Sequence, residues 1–363
     1  MNTSQDAILS AVAQHSAYSY RLSSGEVNKL IALFNSQSNE MIKELQSLLD
    51  ELSDAERVAL SGGQYTTPLL KEIRGLFATW QTSLATVLPE AFAVSATALA
   101  VHEATFAAKL IGEKIKLDGE KLLKKAKKIP VVGGALVDEL FDKIKDDVRL
   151  RVEYAIRQGI VDGWTNQQIV QRIKGKKAFN YQDGILQQSR SDIDRVVRTA
   201  RSHVANEVRE DTYRALGVKK LIVCATLDGR TCIRCASLDG QEFDIDDPKR
   251  PRFPEHPHSR TVYIPKVDNF SGNRPYVLAK EKVKDIPKDR RKGIIGQVDS
   301  KTKFKDLLES NDSFAREWLG NKRYKLFKEG GYKIEKFIDP LGRQYSLAEL
   351  EILDKKTFKE LGL

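Results

Sequence analysis

The apolar residues of this chain change their spacing at Gly217, and that change limits the fold more than any other feature. Up to Leu216 they recur at helical intervals; beyond it come short runs of strand character, beginning with Lys220 to Thr226 (KLIVCAT). Asp228-Gly229 marks a tight turn, and Gln241 to Ile245 and Arg260 to Ile264 are further strand candidates. Helices that lead into a small sheet make the expected class α+β. The expected architecture is a mainly helical N-terminal region, a central helix-plus-small-sheet module and a small basic C-terminal extension.

Within the first 110 residues, Ile42, Leu45, Leu48, Leu49 and Leu52 form one apolar stripe in a helical stretch from Met41 to Leu60. Thr66-Thr67-Pro68 supplies a cap and a first-turn proline for a helix through Ile73, Phe77 and Trp80, and Pro89 can open the next. From Ala91 to Leu110 alanine is dense, which suits close helix approach in a bundle or against a partner subunit. Glu113 to Lys128 is lysine-rich, and Ile129-Pro130 with Gly133-Gly134 then punctuates the chain. These features place a helical domain at 1–112, a basic linker or helix at 113–134, the central module at 135–270 and the basic extension at 271–363. Phe141, Ile144, Val148 and Val152 describe another helix. Gly163-Trp164-Thr165 ends it and caps a short one over 166–173, a polar loop runs to about Arg190, and a long helix spans roughly Ser191 to Leu216. A Lys-rich linker is expected from Asn273 through Lys292, before a helical segment with Phe314, Trp318, Leu319 and Phe327 and a closing cluster of Ile334, Phe337, Leu347 and Leu350.

Charge is unevenly distributed. The 363 residues hold 60 Lys+Arg and 50 Asp+Glu, a net +10. Met1 to Leu110 has 7 basic and 11 acidic residues, so an acidic front of −4 precedes a remainder of +14. The basic part is a candidate for polyanion contact, with solvated helix faces as the alternative. Three cysteines cannot form a disulfide framework, which points to folding in a reducing cytoplasm. The opening MNTSQDAILSAVAQ lacks the basic and apolar regions of a signal peptide. The longest apolar stretch, Ser83 to Val101, is interrupted by Pro89 and Glu90, so no membrane span is expected.

The densest group of potential ligands is Cys232, Cys235, His256 and His258. A Cys-x-x-Cys pair beside a turn lets two thiolates meet one tetrahedral ion, and His256-Pro257-His258 can close the site with nitrogen, a donor set suited to a structural zinc. The alternative is a pair of buried thiols and two exposed loop histidines. Cys224, inside the strand run, reads as core. Catalytic signatures are missing: His102-Glu103 is followed by Phe106 where a zincin needs histidine, and there is no phosphate-loop or Gly-x-Ser-x-Gly motif. Glu255 and Asp239 are near in sequence, but nothing marks either as a base. Arg195, Arg198 and Arg201 are successive neighbours at three-residue spacing and, with Lys124, Lys125, Lys127 and Lys128, are the candidate DNA contacts. The competing reading is an amphipathic helix with Val197, Ala200, Val204 and Val208 facing inward.

Arg198-Thr199, Asn206, Tyr213, Gly217-Val218, the run Ala225 to Cys232, Cys235, Leu238 to Gln241, Phe243, His256-Pro257 and Arg260 follow one another in an order that resembles the phage Mu F-like minor head proteins, or phage head morphogenesis proteins. Gly163-Trp164-Thr165 with Ile169, Arg172 and Ile173 resembles the lead-in of that module. Phe314, Trp318-Leu319-Gly320, Arg323, Leu326-Phe327, Gly330 and Phe337 to Leu350 resemble the segment that often follows it. In one place the chain departs: Ser259 stands where members commonly carry the cysteine of His-Pro-x-Cys-Arg. Either His258 substitutes, or the site is a metal-free remnant held by hydrogen bonds.

The resemblance implies a structural, non-enzymatic component of the virion of a tailed phage, made in the host cytoplasm and located in the head near the portal vertex. It implies roles in capsid assembly, DNA packaging or ejection, and portal, major capsid or scaffolding protein and phage DNA as partners. The basic back half suits DNA, and the acidic front suits docking on portal or scaffold. The competing classes are a zinc-dependent hydrolase or nuclease and a delivered host-directed effector.

Overall fold

The structure, a computed structural model, describes residues 5–179, 181–266 and 273–363. The first four residues and the expected junction between 270 and 271 lie outside them. Among the described residues, seven α-helices precede the first strand: α1 Gln5–Asp50, α2 Asp54–Ser61, α3 Pro68–Leu110, α4 Gly119–Lys127, α5 Val137–Val161, α6 Asn166–Lys174 and α7 Ile185–Ala215. There follow β1 Lys220–Cys224, β2 Leu227–Asp228, α8 Ile233–Leu238, β3 Glu242–Asp244, β4 Val262–Pro265, β5 Asn273–Val277 and β6 Ile295–Asp299. The chain ends with α9 Phe304–Ser310, α10 Asp312–Leu319, α11 Asn321–Lys328, α12 Leu347–Leu353 and α13 Lys355–Leu361. The mainly helical α+β reading therefore holds.

Two compact units are present. One comprises Met1–Tyr20, Glu103–Leu117 and Asn206–Leu363; the other comprises Arg21–His102 and Asp118–Ala205. The long helices α1, α3 and α7 each contribute residues to both.

The second of these units is helical. Leu45, Leu49, Leu70, Ile73, Phe77, Trp80, Leu84 and Phe141 are buried in it, and Phe92 and Phe141 meet with ring centroids 5.1 Å apart. The Met41 to Leu60 stretch is two helices, because Ser53 starts a new one: its Oγ accepts from Glu56 N at 3.4 Å, and its own N–H donates to the Glu56 carboxylate at 3.2 Å. Pro89 does not open a helix but lies inside α3. Its ring leaves the Ala85 carbonyl without its intrahelical donor, and burial of Leu84, Leu88, Phe92 and Ala96 along one face carries the helix across. Thr165 caps α6 as its sequence position predicts, with Oγ1 accepting from Gln168 N at 3.2 Å. The helix α7 begins at Ile185, earlier than the expected Ser191, since the buried Leu186 and Ser189 extend its inner face.

Two small sheets lie in the other unit. The first has order β3-β1-β4, all antiparallel, with Ile222 opposite Glu242 on one side and Ile264 on the other. Its core gathers Leu221, Val223, Phe253, Tyr263 and Ile264 with Ile8, Leu9 and Val12 of α1, Ala107 and Leu110 of α3, and Tyr213 of α7. Gly217, at φ +78°, supplies the left-handed residue that ends α7 and turns the chain into β1. The second sheet, order β2-β5-β6, pairs β2 with β5 in parallel and β5 with β6 antiparallel. Its strand β5 occupies the start of the segment read as a linker, and β6 follows just after that segment's end. The strand β5 carries Arg274 and Pro275, which weaken its signal, and is held by partners distant in sequence. Beneath it Leu227, Ile233, Phe304, Leu308, Phe314, Leu326, Ile334, Phe337 and Leu350 form a second core, which includes most of the expected closing cluster.

Candidate metal centre

Between β1 and α8 the chain makes a tight knuckle. Thr231 Oγ1 donates to Thr226 O at 2.5 Å, and Thr231 N donates to Asp228 O at 3.1 Å. Gly229 is required here: a Cβ on it would stand 2.6 Å from the carbonyl of Ala279, to which its own N–H donates at 3.0 Å. The knuckle delivers Cys232 to the N-cap of α8, where its Sγ accepts from Cys235 N at 3.3 Å. One turn later Cys235 is buried.

His256 arrives from the proline-bearing segment before β4. Its Nε2 lies 3.1 Å from Cys232 Sγ and 3.6 Å from Cys235 Sγ. Nδ1 lies 2.8 Å from the Pro257 carbonyl, an acceptor only, so Nδ1 carries the proton in that bond and Nε2 of the neutral ring presents its lone pair to the sulfurs. The three ligand atoms fall within 4.8 Å of one another. His258 stands outside this group, exposed and at a left-handed φ of +62°. On the remaining side is Ser259, buried, with Oγ 3.7 Å from Cys235 Sγ. The hydroxyl occupies the place next to the pair where the resemblance leads one to look for a third thiolate.

The hydrogen bond with Cys235, reinforced against burial by His256, pulls the Cys232 thiol well below the ordinary thiol value. The same contact with Cys232 raises His256. Cys235 is pushed upward, first by its bond to Cys232 and then by burial. Cys224 is also pushed up, by burial in the first core, where the sequence places it.

The three donors fit three corners of a tetrahedral zinc site. Tetrahedral coordination with Zn–S of about 2.3 Å and Zn–N of about 2.0–2.1 Å sets sulfur and nitrogen about 3.5 Å apart, against the 3.1 and 3.6 Å found here. Cys232, Cys235 and His256 would hold the ion.

The nearby carboxylates are all engaged by arginine. Asp228, buried, accepts from Arg260 at 2.5 and 2.7 Å and from Arg230 at 2.9 Å; burial raises its pKa, but the Arg260 hydrogen bonds outweigh it and the net shift is downward. Asp239 accepts from both terminal nitrogens of Arg274 at 3.0 Å, from Ala225 N at 2.8 Å and from Phe304 N at 2.8 Å. Glu255 pairs with Arg234 at 3.2 Å. Trp318 Nε1 donates to Thr231 O at 2.9 Å, so α10 grips the knuckle as well. Sequence reasoning singled out Asp239 but not these pairings, because Arg274 lies 35 positions away in a segment that reads as linker.

The candidate DNA contacts divide. Arg198 donates to Asp194 at 2.9 Å, Ser23 at 2.7 Å and Ser24 at 3.2 Å. Arg201 is buried and donates to Ser95 at 3.4 Å. Both tie α7 into its own unit. Arg195 is half exposed and pairs with Asp192 at 3.0 Å. On α4, Lys124 and Lys125 are exposed, as is Lys128 at its C-cap, and Lys127 pairs with Asp138 at 2.6 Å. Among the described residues α3 is the one helix long and apolar enough to cross a membrane, a test that a soluble core helix also passes.

No curated protein and no solved structure gives a match to the chain. Residues 150–264 match the family model described as phage Mu protein F like protein. That stretch contains α6, all of α7, the first sheet apart from the last residue of β4, and every atom of the Cys232, Cys235 and His256 cluster. Over residues 150–264, about a third of its length, the chain is similar to the phage Mu protein F like family, in the stretch that carries the ordered motifs from Gly163 to Arg260.

Proposed function

We infer that the protein is a structural minor head protein of a tailed bacteriophage, located in the head at the portal vertex and serving capsid assembly, DNA packaging or ejection without turning over a substrate. The observation that carries this reading is the family match over residues 150–264, a family of phage head morphogenesis proteins. The chemistry around the knuckle supports it. Asp228, Asp239 and Glu255 are each held by arginine, so they serve as anchors and not as bases poised for proton transfer. The Cys232, Cys235 and His256 cluster acts as a structural zinc clip that fixes α8 against the segment leading into β4.

Exposed Lys124 and Lys125 of α4 and Lys128 at its C-cap, with Arg195 of α7, contact phage DNA through its phosphates, and the acidic N-terminal helices dock on portal or scaffold. Quantitative mass spectrometry of purified particles, with and without portal, tests the placement. Low-copy presence that depends on portal is the expected result, and absence from mature particles overturns it. A zinc-dependent nuclease would instead cleave DNA in the presence of metal and lose that activity in Cys232→Ser.

A further inference from the structure

The hairpin that joins β5 to β6 carries seven basic and three acidic residues between Lys280 and Lys292. We propose that this loop is a second, independent contact for the phosphate backbone of duplex DNA, with Lys282, Lys284, Lys288 and Lys292 as its contacting charges. The assignment rests on the nucleic-acid contact proposed above and gives it a separate site.

The loop is held in shape from within. Ile286 is 2 % exposed and pins its middle to the protein. The Arg291 guanidinium donates to the carbonyls of Ile286 at 3.0 Å and Val283 at 3.1 Å, so this arginine is spent on the loop's own backbone. At the base, Lys280 Nζ donates to Glu317 O at 2.9 Å, and Ala279 O receives the Gly229 N–H of the knuckle at 3.0 Å. Arg290 has Glu281 3.8 Å away. Lys282, Lys284, Lys288 and Lys292 are exposed, and their side-chain ammonium groups make no hydrogen bond or ion pair among the described residues. Four free cations thus sit on a backbone whose shape is already fixed, and binding an anion there costs little further ordering.

Duplex phosphate is the partner that this chemistry fits. Lysine is a compact point charge that meets phosphates without demanding a bidentate geometry. The loop offers no aromatic ring on which unpaired bases would stack. Val283 is its one exposed large apolar side chain, which leaves it without the aromatic and aliphatic anchors of a protein–protein hot spot. Contact here is therefore expected to ignore sequence and to weaken steeply with salt.

The test uses the full chain and a fluorescein-labelled duplex of mixed sequence, with affinity followed by anisotropy from about 50 to about 200 mM salt. Three proteins are compared: wild type, the loop variant Lys282→Ala/Lys284→Ala/Lys288→Ala/Lys292→Ala, and the helix variant Lys124→Ala/Lys125→Ala/Lys127→Ala/Lys128→Ala. The four ammonium groups removed have no partner among the described residues, and the backbone bonds of Lys282 and Lys288 survive truncation to alanine, so the loop variant is expected to keep the wild-type thermal midpoint. Its log–log salt slope should be shallower by about 3 to 4, near 0.9 for each lost phosphate contact. Wild-type binding with an unchanged slope in the loop variant overturns the loop and leaves the α4 contact standing. Absence of wild-type retention at low salt overturns both. Displacement of the duplex by polyglutamate as effective as by unlabelled duplex of equal charge overturns nucleic acid as the partner in favour of an acidic protein surface.

Discussion

Arg274 sits with both terminal nitrogens on the Asp239 carboxylate at 3.0 Å, and both side chains are almost wholly buried. The pair is closed on every side. Asp239 also accepts the N–H groups of Ala225 and Phe304, and Arg274 also donates to the carbonyls of Ala225 at 2.5 Å and Thr302 at 2.9 Å. One ion pair therefore binds the end of β1, the end of α8, β5 and the start of α9. Breaking one side of such a pair is far worse than never having it, because the remaining charge stays buried and unmatched.

Arg274→Met is accordingly expected to destabilise the protein by about 3–5 kcal/mol. Removing both partners should cost less than the sum of the two single changes, since the orphaned charge disappears. Chemical denaturation of the two single variants and the double variant measures this coupling.

Ser259→Cys should raise zinc affinity by about tenfold or more, because a third thiolate completes a tetrahedral set beside Cys232, Cys235 and His256. Cobalt substitution gives the readout: stronger thiolate-to-cobalt absorption in Ser259→Cys than in wild type, and its loss in Cys232→Ser. An equal spectrum in wild type and Ser259→Cys would show that position 259 does not reach the ion.

Arg198→Ala is expected to lower stability by about 1–3 kcal/mol while leaving duplex affinity unchanged. Its guanidinium already serves Asp194, Ser23 and Ser24 inside the helical unit. Thermal unfolding and anisotropy on the same sample separate the two effects.

Acid should weaken the knuckle unit. Burial raises Asp228, but the Arg260 hydrogen bonds overcome that and hold it below the usual carboxylate value. Glu103 is held down likewise, by Arg209, His15 and Ser19 against burial. A folded carboxyl that binds its proton more weakly than the unfolded one stabilises fully above its unfolded value, about 3.9 for Asp and 4.3 for Glu. That contribution is lost as pH falls below these values through the folded ones. Thermal midpoints should therefore drop steeply below about pH 4, and Asp228→Asn should start lower at neutral pH and fall less on acidification. Circular dichroism melts across this range check both.

Pro89→Ala should stabilise the helical unit by about 1–3 kcal/mol, because it restores the N–H for the Ala85 carbonyl in a helix that packing already holds together. A lower melting temperature in this variant would mean that the proline ring itself fills space which alanine leaves empty.

Local chemistry was legible in the sequence. The helical spacing of Phe141, Ile144, Val148 and Val152, the Thr165 cap, the Gly217 stop and the KLIVCAT strand all depend on residues within a few positions of one another, and each appears where its pattern places it. Cys232 and Cys235 belong to the same class, since a two-residue spacing across one helical turn already brings the sulfurs together. His256 was nominated by residue type, yet nothing in its spacing distinguished it from His258. That choice came from the path of the chain before β4, which turns His256 inward and leaves His258 on a left-handed backbone in solvent.

The arginines were decided in the same way: the pattern on α7 put Arg195, Arg198 and Arg201 on one side, and only the neighbouring helices showed which had partners. The second sheet and the Asp239–Arg274 pair were invisible for the same reason. A strand that contains Arg274 and Pro275 has little propensity of its own, and its stability is supplied by groups tens of residues away that meet it only once the chain has folded.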